Sequence, residues 1–159
     1  MDATGLPTRF LEVLKYGIRE AAPDMTEEFR LLPAVTPDTE HFWRGGARGE
    51  LVILRCASCA TYIHPPAPVC PSCLSREQKP ETVSGRGEVL TFTVNHQEWN
   101  PTVAVPYVIA LVELDEQKGL RLATNIVGCA PDEVRIGMRV RVTFLEREDV
   151  WLPLFEPDV

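Results

Sequence analysis

The chain has 159 residues, of which 45% are hydrophobic and 25% are charged, and its formal net charge is −7. This length suits one ordinary domain plus a small module, and no apolar run approaches the roughly 20 residues of a membrane helix. From Gly85 onward 7 basic residues stand against 12 acidic ones (7 − 12 = −5), which disfavours nucleic acid as a ligand. No basic and apolar leader follows Met1, so we expect a cytoplasmic protein with no membrane association.

The first 35 residues are predicted to form a helical extension. Thr8 fits a helix N-cap and Pro23 fits a stop, which bounds a helix over residues 8–22. Its apolar side chains recur at helical spacing, at Phe10, Leu11, Val13, Leu14 and Ile18. Such a helix either covers the protein's own core or docks on a partner chain, and the sequence leaves both open.

A second, shorter helix is predicted before the first strand. Thr36 is the expected N-cap, with Pro37 at the first helical position and acidic residues in the first turn. The pair Gly45-Gly46 is expected to end this helix. Residues 51–55, Leu-Val-Ile-Leu-Arg, then predict a strand that leads into a cysteine motif.

Four cysteines form two CxxC pairs, Cys56-Ala-Ser-Cys59 and Cys70-Pro-Ser-Cys73, separated by ten residues. Each pair brings two thiolates to one ion, and four thiolates at tetrahedral geometry satisfy Zn²⁺ without a site for water. The spacing therefore predicts one structural zinc ion held by Cys56, Cys59, Cys70 and Cys73. Metal binding would supply folding free energy that the proline-rich segment between the pairs cannot obtain from burial.

The cysteine motif has two alternative interpretations, a redox site and an iron site. A redox CxxC motif is disfavoured because two pairs lie in one short segment outside a βαβ pattern, whereas iron suits the same four ligands. His64 is a conceivable extra ligand, although packing beside the neighbouring prolines explains it better. Cys129 follows an apolar run and is expected to be a buried small hydrophobe.

After Gly85 the hydrophobic period changes to two, which predicts strands. Leu90, Phe92 and Val94 alternate with polar residues, and residues 107–114 are apolar on both faces, as expected for a central strand or one covered by a partner. A hairpin turn is expected at residues 115–119, and residues 138–144 alternate again. About five short strands in about 75 residues predict a small antiparallel barrel, which fits an OB-fold.

The motifs together resemble a family of acyl-CoA-associated proteins that join a rubredoxin-like zinc ribbon to a C-terminal OB-fold. The matching segments run in order from about residue 34 to the end, at residues 38–45, 54–59, 64–73, 84–88, 106–114, 125–129, 134–138 and 152–155. The resemblance implies a mainly β fold with three parts: an N-terminal helical extension (1–35), a helix plus zinc ribbon (36–83) and the OB-fold (84–159).

The resemblance also implies a function. Members of the family are accessory subunits of thiolase-fold enzymes, thiolases or retro-aldolases, that make or break carbon–carbon bonds in acyl-CoA thioesters. We therefore expect a thiolase-like catalytic partner, by analogy in a heterotetramer of two plus two chains, with acyl-CoA handled by the complex. Residues 125–129 and 152–155 resemble most closely the branch of sterol and lipid degradation. The alternative is a zinc-ribbon/OB-fold module that binds nucleic acid.

The sequence predicts no catalytic residue in this chain. Four of the five cysteines are assigned to metal, and His96 with Glu98 is more typical of an exposed loop than of an acid–base pair. Arg139 and Arg141 share one face of a predicted strand, where their guanidinium groups are candidates to bind CoA phosphates. A solvated strand face with acidic neighbours explains the same two arginines.

Overall fold

The structure, a computed structural model, describes residues 32–99 and 103–158, so the helix predicted at residues 8–22 lies outside the described residues. The described chain is mainly β: a three-stranded sheet is followed by a closed five-stranded barrel. The strands are β1 (Leu51–Cys56), β2 (Tyr62–Ile63), β3 (Gln78–Val83), β4 (Arg86–Asn95), β5 (Tyr107–Leu114), β6 (Arg121–Ile126), β7 (Arg139–Arg147) and β8 (Val150–Pro157). The helices are α1 (Glu40–Arg44) and two short 3-10 helices, Gly45–Arg48 and Pro131–Glu133.

The barrel has the strand order of an OB-fold. Adjacent strands around the barrel follow the order β4-β5-β6-β8-β7, and β7 closes the barrel by pairing with β4. All these pairs are antiparallel except β6 with β8, which is parallel. The OB-fold expected from the alternating sequence is therefore confirmed.

Strand β4 differs in one detail from its sequence pattern. Strict alternation places Leu90 inside with Phe92 and Val94, but the register with β5 shifts between Val89 and Thr91. Leu90 is thus the extra residue of a β-bulge, and Val89 is the side chain that is fully buried. Phe92 and Val94 pack against the core as predicted.

The short helix begins later than predicted. Its N-cap is Thr39, because Thr36 instead begins a preceding turn in which its carbonyl accepts bonds from the N–H groups of Thr39 and Glu40. The α-helix ends at Arg44 with Gly45 as its C-cap, as predicted, and the chain continues as a 3-10 helix to Arg48, which stops at Gly49, a residue with φ of +71°.

Gly46 has a packing role that the sequence did not reveal. A Cβ atom on this residue would lie 2.4 Å from Cβ of Trp151 and 2.6 Å from Cδ1 of Phe144. The 3-10 helix therefore rests directly on strands β7 and β8, and only glycine allows this approach. The contact joins the segment before the ribbon to the barrel.

One hydrophobic core connects the two sheets. It contains barrel side chains together with Phe42 from α1, Leu51 and Ile53 from β1, and Val83 from β3. A second, smaller cluster surrounds the cysteines and contains Cys56, Ile63 and Cys70, with Leu54 and Ala67 packed against it. The predicted division at residues 83 and 84 thus crosses a shared core. In the described ranges no helix is long and apolar enough to span a membrane.

Candidate metal centre

The two CxxC pairs lie in two tight turns at the end of the three-stranded sheet. Cys56 is the last residue of β1, and the N–H of Ala60 donates to its carbonyl at 3.0 Å. In the second turn the N–H of Leu74 donates to the carbonyl of Cys70 at 2.9 Å. Each turn bends the chain so that both cysteines of a pair point to one side, which is the geometry that the CxxC spacing predicts.

The four Sγ atoms lie within 4.8 Å of one another. The Sγ atoms of Cys56 and Cys73 are 3.5 Å apart, as are those of Cys59 and Cys70. A tetrahedral site with Zn–S bonds of about 2.3 Å has sulfur–sulfur edges of about 3.8 Å. Cys56 and Cys70 are buried whereas Cys59 and Cys73 are exposed, so one side of the cluster faces the small core and the other faces solvent. The donor set and spacing fit a structural metal ion.

The pKa values of the thiols reflect how close the four sulfur atoms lie to one another. Hydrogen bonding with the side chain and the backbone of Thr61 lowers the pKa of Cys59 to about 6. The N–H of Ser75 acts in the same direction on Cys73, but the thiols of Cys59 and Cys56 outweigh it and raise the pKa of Cys73 to about 12. Four thiolates this close repel one another, and a divalent cation removes that repulsion.

Polar side chains connect the two turns around the cluster. Ser58 donates to Ser75 across the turns at 3.0 Å, and Thr61 donates to Ser72 at 3.3 Å. The amide of Gln78 donates to the carbonyl of Ala67 at 3.0 Å and fixes the intervening loop. These are mostly exposed bonds of modest net strength, so they orient the turns rather than replace a metal.

His64 is not part of the cysteine cluster. Its ring lies against Phe42, with the centroids 4.8 Å apart, and burial lowers the pKa of His64. Because Phe42 belongs to the main core, this contact joins the ribbon loop to the barrel. The packing role expected for His64 therefore fits the structure, although its closest aromatic neighbour lies on α1.

A glutamine clamp also joins ribbon and barrel, and sequence reasoning missed it. Gln117, at the tip of the β5–β6 hairpin, accepts a bond from the N–H of Tyr62 at 2.8 Å and donates to the carbonyl of the same residue at 3.2 Å. The side-chain amide thus pairs with β2 as a neighbouring strand would. Beside it, Glu116 accepts a bond of 2.6 Å from the N–H of Ser84, in the link between β3 and β4. No sequence signal marks such a contact, because it depends on the tertiary position of one hairpin.

The two arginines proposed for CoA lie on the exposed face of β7, and both are paired with carboxylates. Arg139 binds Asp115 through both terminal nitrogens, at 2.8 and 2.5 Å, and this ion pair lowers the pKa of Asp115. Arg141 binds Glu156 at 2.9 Å. Their role at CoA phosphates stays a prediction.

The remaining candidates for chemistry lie outside the cysteine cluster. Cys129 is half-buried, and burial together with the nearby Glu133 raises the pKa of its thiol, so it is a poor nucleophile. His96 and Glu98 are both exposed in the loop after β4. Three aromatic residues of the barrel differ in exposure: Trp151 packs at Gly46, Tyr107 is half-buried and Trp99 is 80% exposed.

Comparison with known proteins matches both parts of the described chain. Residues 43–77 match the family described as the ChsH2 rubredoxin-like zinc ribbon domain, and residues 80–145 match the ChsH2 C-terminal OB-fold domain. In solved structures, the chain is similar to the "Ltp2-ChsH2(DUF35) aldolase", with 42% identity and a TM-score of 0.72. This match covers 80% of the present chain and all of the solved one.

Curated relatives extend the comparison. A probable enoyl-CoA hydratase alpha subunit of Thermomonospora curvata is 40% identical over 88% of this chain. The 3-oxo-4,17-pregnadiene-20-carboxyl-CoA hydratase alpha subunit of Mycobacterium tuberculosis is 36% identical over 99% of it. The chain spans about half of each, 44% and 50% of their lengths. A DUF35 domain-containing scaffold protein of Methanocaldococcus jannaschii is 38% identical over 59% of this chain and 67% of its own length. The chain belongs to the ChsH2/DUF35 family of zinc-ribbon and OB-fold proteins.

Proposed function

We propose that this chain is a non-catalytic, zinc-binding accessory subunit of a thiolase-fold enzyme that makes or breaks carbon–carbon bonds in acyl-CoA thioesters. The observation that carries the proposal is the match to the ChsH2(DUF35) chain of an aldolase that is named with a second chain, Ltp2, over the whole length of the ChsH2 chain. The relatives named as hydratase alpha subunits support acyl-CoA as the substrate class.

A non-catalytic role agrees with the positions of the reactive groups. Within residues 32–99 and 103–158, four cysteines converge on one cluster, and the fifth has a raised thiol pKa. In the proposal, Cys56, Cys59, Cys70 and Cys73 hold one zinc ion that fixes the ribbon, while the partner supplies the reacting groups. A closed tetrathiolate site leaves no coordination position for substrate.

The charges of the barrel support a protein partner over a polyanion. Each of several barrel arginines faces a carboxylate: Arg86 with Asp158, Arg121 with Glu113, Arg139 with Asp115 and Arg141 with Glu156. Nucleic acid binds when arginines and lysines neutralise its phosphates, and here the phosphates would have to displace these carboxylates from the arginines first. CoA phosphates would meet the same competition at Arg139 and Arg141, so we place this contact in the assembled complex, where the partner adds further groups.

The finer parts of the proposal concern assembly and context. Thiolase-fold enzymes are usually dimers, so one accessory chain on each half gives two plus two. Sterol or lipid degradation is the proposed pathway class, because one relative is named for a pregnadiene-carboxyl-CoA. The proposed compartment is the cytoplasm.

The test uses the purified chain with purified Ltp2, the partner named in the related aldolase. We expect a complex whose mass in sedimentation equilibrium equals two of each chain, with about one zinc per accessory chain by elemental analysis, and acyl-CoA cleavage only when both chains are present. Replacing Arg139 and Arg141 together by Ala should raise the KM for the acyl-CoA with little change in assembly. Cleavage by either chain alone, or no complex at all, would contradict the proposal.

A further inference from the structure

One face of the barrel is free of charge, and it faces away from the main core. It comprises the outward-pointing residues of three neighbouring strands. These are Thr91, Thr93 and Asn95 on β4, Tyr107, Ile109 and Leu111 on β5, and Ala123 and Asn125 on β6; we call them the outer face. A quarter of the whole chain is charged, so eight successive uncharged outward positions are a local exception.

The strand register makes the outer face continuous. Ile109, which is 43% exposed, stands between Thr93 on β4 and Asn125 on β6. In the next outward row, Leu111 stands between Thr91 and Ala123. Because side chains directly opposite each other on adjacent strands touch, these rows form one surface with an apolar centre on β5.

Charged residues appear again at one end of the outer face. Glu88 and Glu113 are direct partners in the register of β4 and β5, and Glu113 is paired with Arg121 of β6 at 3.1 Å. A protein interface has this arrangement, in which an uncharged centre is bordered by a polar rim.

At the opposite end an exposed tryptophan extends the outer face. Trp99 is 80% exposed, and its indole N–H donates to Oδ1 of Asn95 at 3.2 Å. Asn95 is the direct strand partner of Tyr107. The only polar group of the Trp99 side chain is therefore already hydrogen-bonded within the chain, which holds the ring in place and leaves its apolar surface available. A large aromatic side chain ordered before binding has the properties of an interface anchor.

We infer that the outer face, with Trp99 at its end, is the surface that binds the catalytic partner subunit, through an uncharged and partly apolar patch of that partner. This inference rests on the proposed function. Because none of the eight residues of the outer face is cationic, this face does not suit a polyanion such as a nucleic acid. A second copy is disfavoured because it would bring together two chains that each carry a net charge of −7.

The dimensions of the outer face indicate how much of the interface it forms. Three strands about 4.8 Å apart and five residues at about 3.3 Å each give an area of roughly 200 Å². A stable interface buries about 800 Å² on each partner, so the outer face is its centre and the charged rim and Trp99 belong to the same contact.

The test measures the affinity of purified Ltp2 for variants of the full chain. Ile109→Glu places a charge at the centre of the outer face, and Trp99→Ala removes the anchor without touching the core. Each should weaken binding by about tenfold or more, as expected at the centre of an interface. Ile136→Glu is the matched control, since Ile136 is 69% exposed in the turn before β7 and lies off the outer face; its affinity should stay within about twofold of the wild type.

Each outcome separates the two proposals. If the wild type binds Ltp2 and both variants bind equally well, the outer face is not the docking surface and the subunit role stands. If the wild type does not bind, the proposed function fails as well. If the wild type alone is a dimer that Ile109→Glu dissociates, the face belongs to a second copy and the inference is overturned.

Discussion

Removal of the metal is expected to unfold the ribbon turns while the barrel stays folded. The ribbon's own cluster contains only Ile63 and two cysteines, with Leu54 and Ala67 packed against it. Burial of Ile63 contributes about 2–3 kcal/mol, whereas a structural zinc ion contributes about 10–16 kcal/mol in isolated zinc peptides near neutral pH. The metal therefore outweighs the burial within this cluster several-fold, and we expect residues 56–78 to lose their conformation without it although Tyr62 and His64 also contact the main core.

The limit of this unfolding follows from the shared core. Leu51 and Ile53 at the start of β1, and Val83 at the end of β3, belong to the main core and not to the cysteine cluster. Their free energy of burial does not depend on the metal. Protection of amide hydrogens should consequently be lost from about Cys56 to Gln78. It should be retained at the end of the three-stranded sheet that carries Leu51, Ile53 and Val83.

Hydrogen exchange read by mass spectrometry, with and without a strong chelator, measures this boundary. Cys70→Ser removes a buried ligand and should reproduce the effect of the chelator. Cys129→Ser changes a half-buried cysteine outside the cluster and should leave the ribbon protected. If the chelator exposes the whole barrel as well, or leaves residues 56–78 protected, the proposed division of stability is wrong.

Three further substitutions test contacts that join or shape the ribbon. Gly46→Ala should reduce the free energy of unfolding by about 1–3 kcal/mol, because its Cβ would lie 2.4 Å from Cβ of Trp151. The measurement is a lower melting temperature, and an unchanged one would contradict the close approach. Gln117→Ala should cost about 2 kcal/mol in denaturant unfolding through two lost hydrogen bonds, and Gln97→Ala, an exposed glutamine, should cost almost nothing; equal effects would refute the clamp. Leu74→Gly should raise the stability of the metal-loaded protein by about 1 kcal/mol, since Leu74 has φ of +61° and is 73% exposed; a lower melting temperature would show that its side chain contributes to the fold.

The metal cluster and the barrel were predictable because local sequence encodes them. A CxxC pair brings two thiolates together within one turn, so the spacing alone predicts that the sulfur atoms converge. Alternation in β4 and β7 likewise reports which side chains face the core, and Val140 and Phe92 are where it predicts. Leu90 breaks the alternation, because a bulge changes the phase of a strand without any change in residue type.

Contacts between distant segments were not predictable in the same way. Gly45-Gly46 reads as a helix stop, but the reason for glycine at position 46 is the nearness of Trp151, about 100 positions further on. Gln117 reads as an ordinary hairpin residue, and only the folded chain brings it to Tyr62. The exposure of Trp99 is also a tertiary property, because an aromatic residue in a loop is equally consistent with burial.

The β5–β6 hairpin contacts the ribbon at its tip and contributes to the outer face with its middle. Its middle carries Ile109 on the outer face, and its tip carries Gln117, which holds the edge strand of the ribbon. Strand β5 is also paired along its whole length with β4 and over most of it with β6. A change at the ribbon therefore acts on the tip of a hairpin whose middle is fixed by the barrel. Metal loss should reach the outer face only weakly, which separates the stabilising role of the ribbon from the binding role of the barrel.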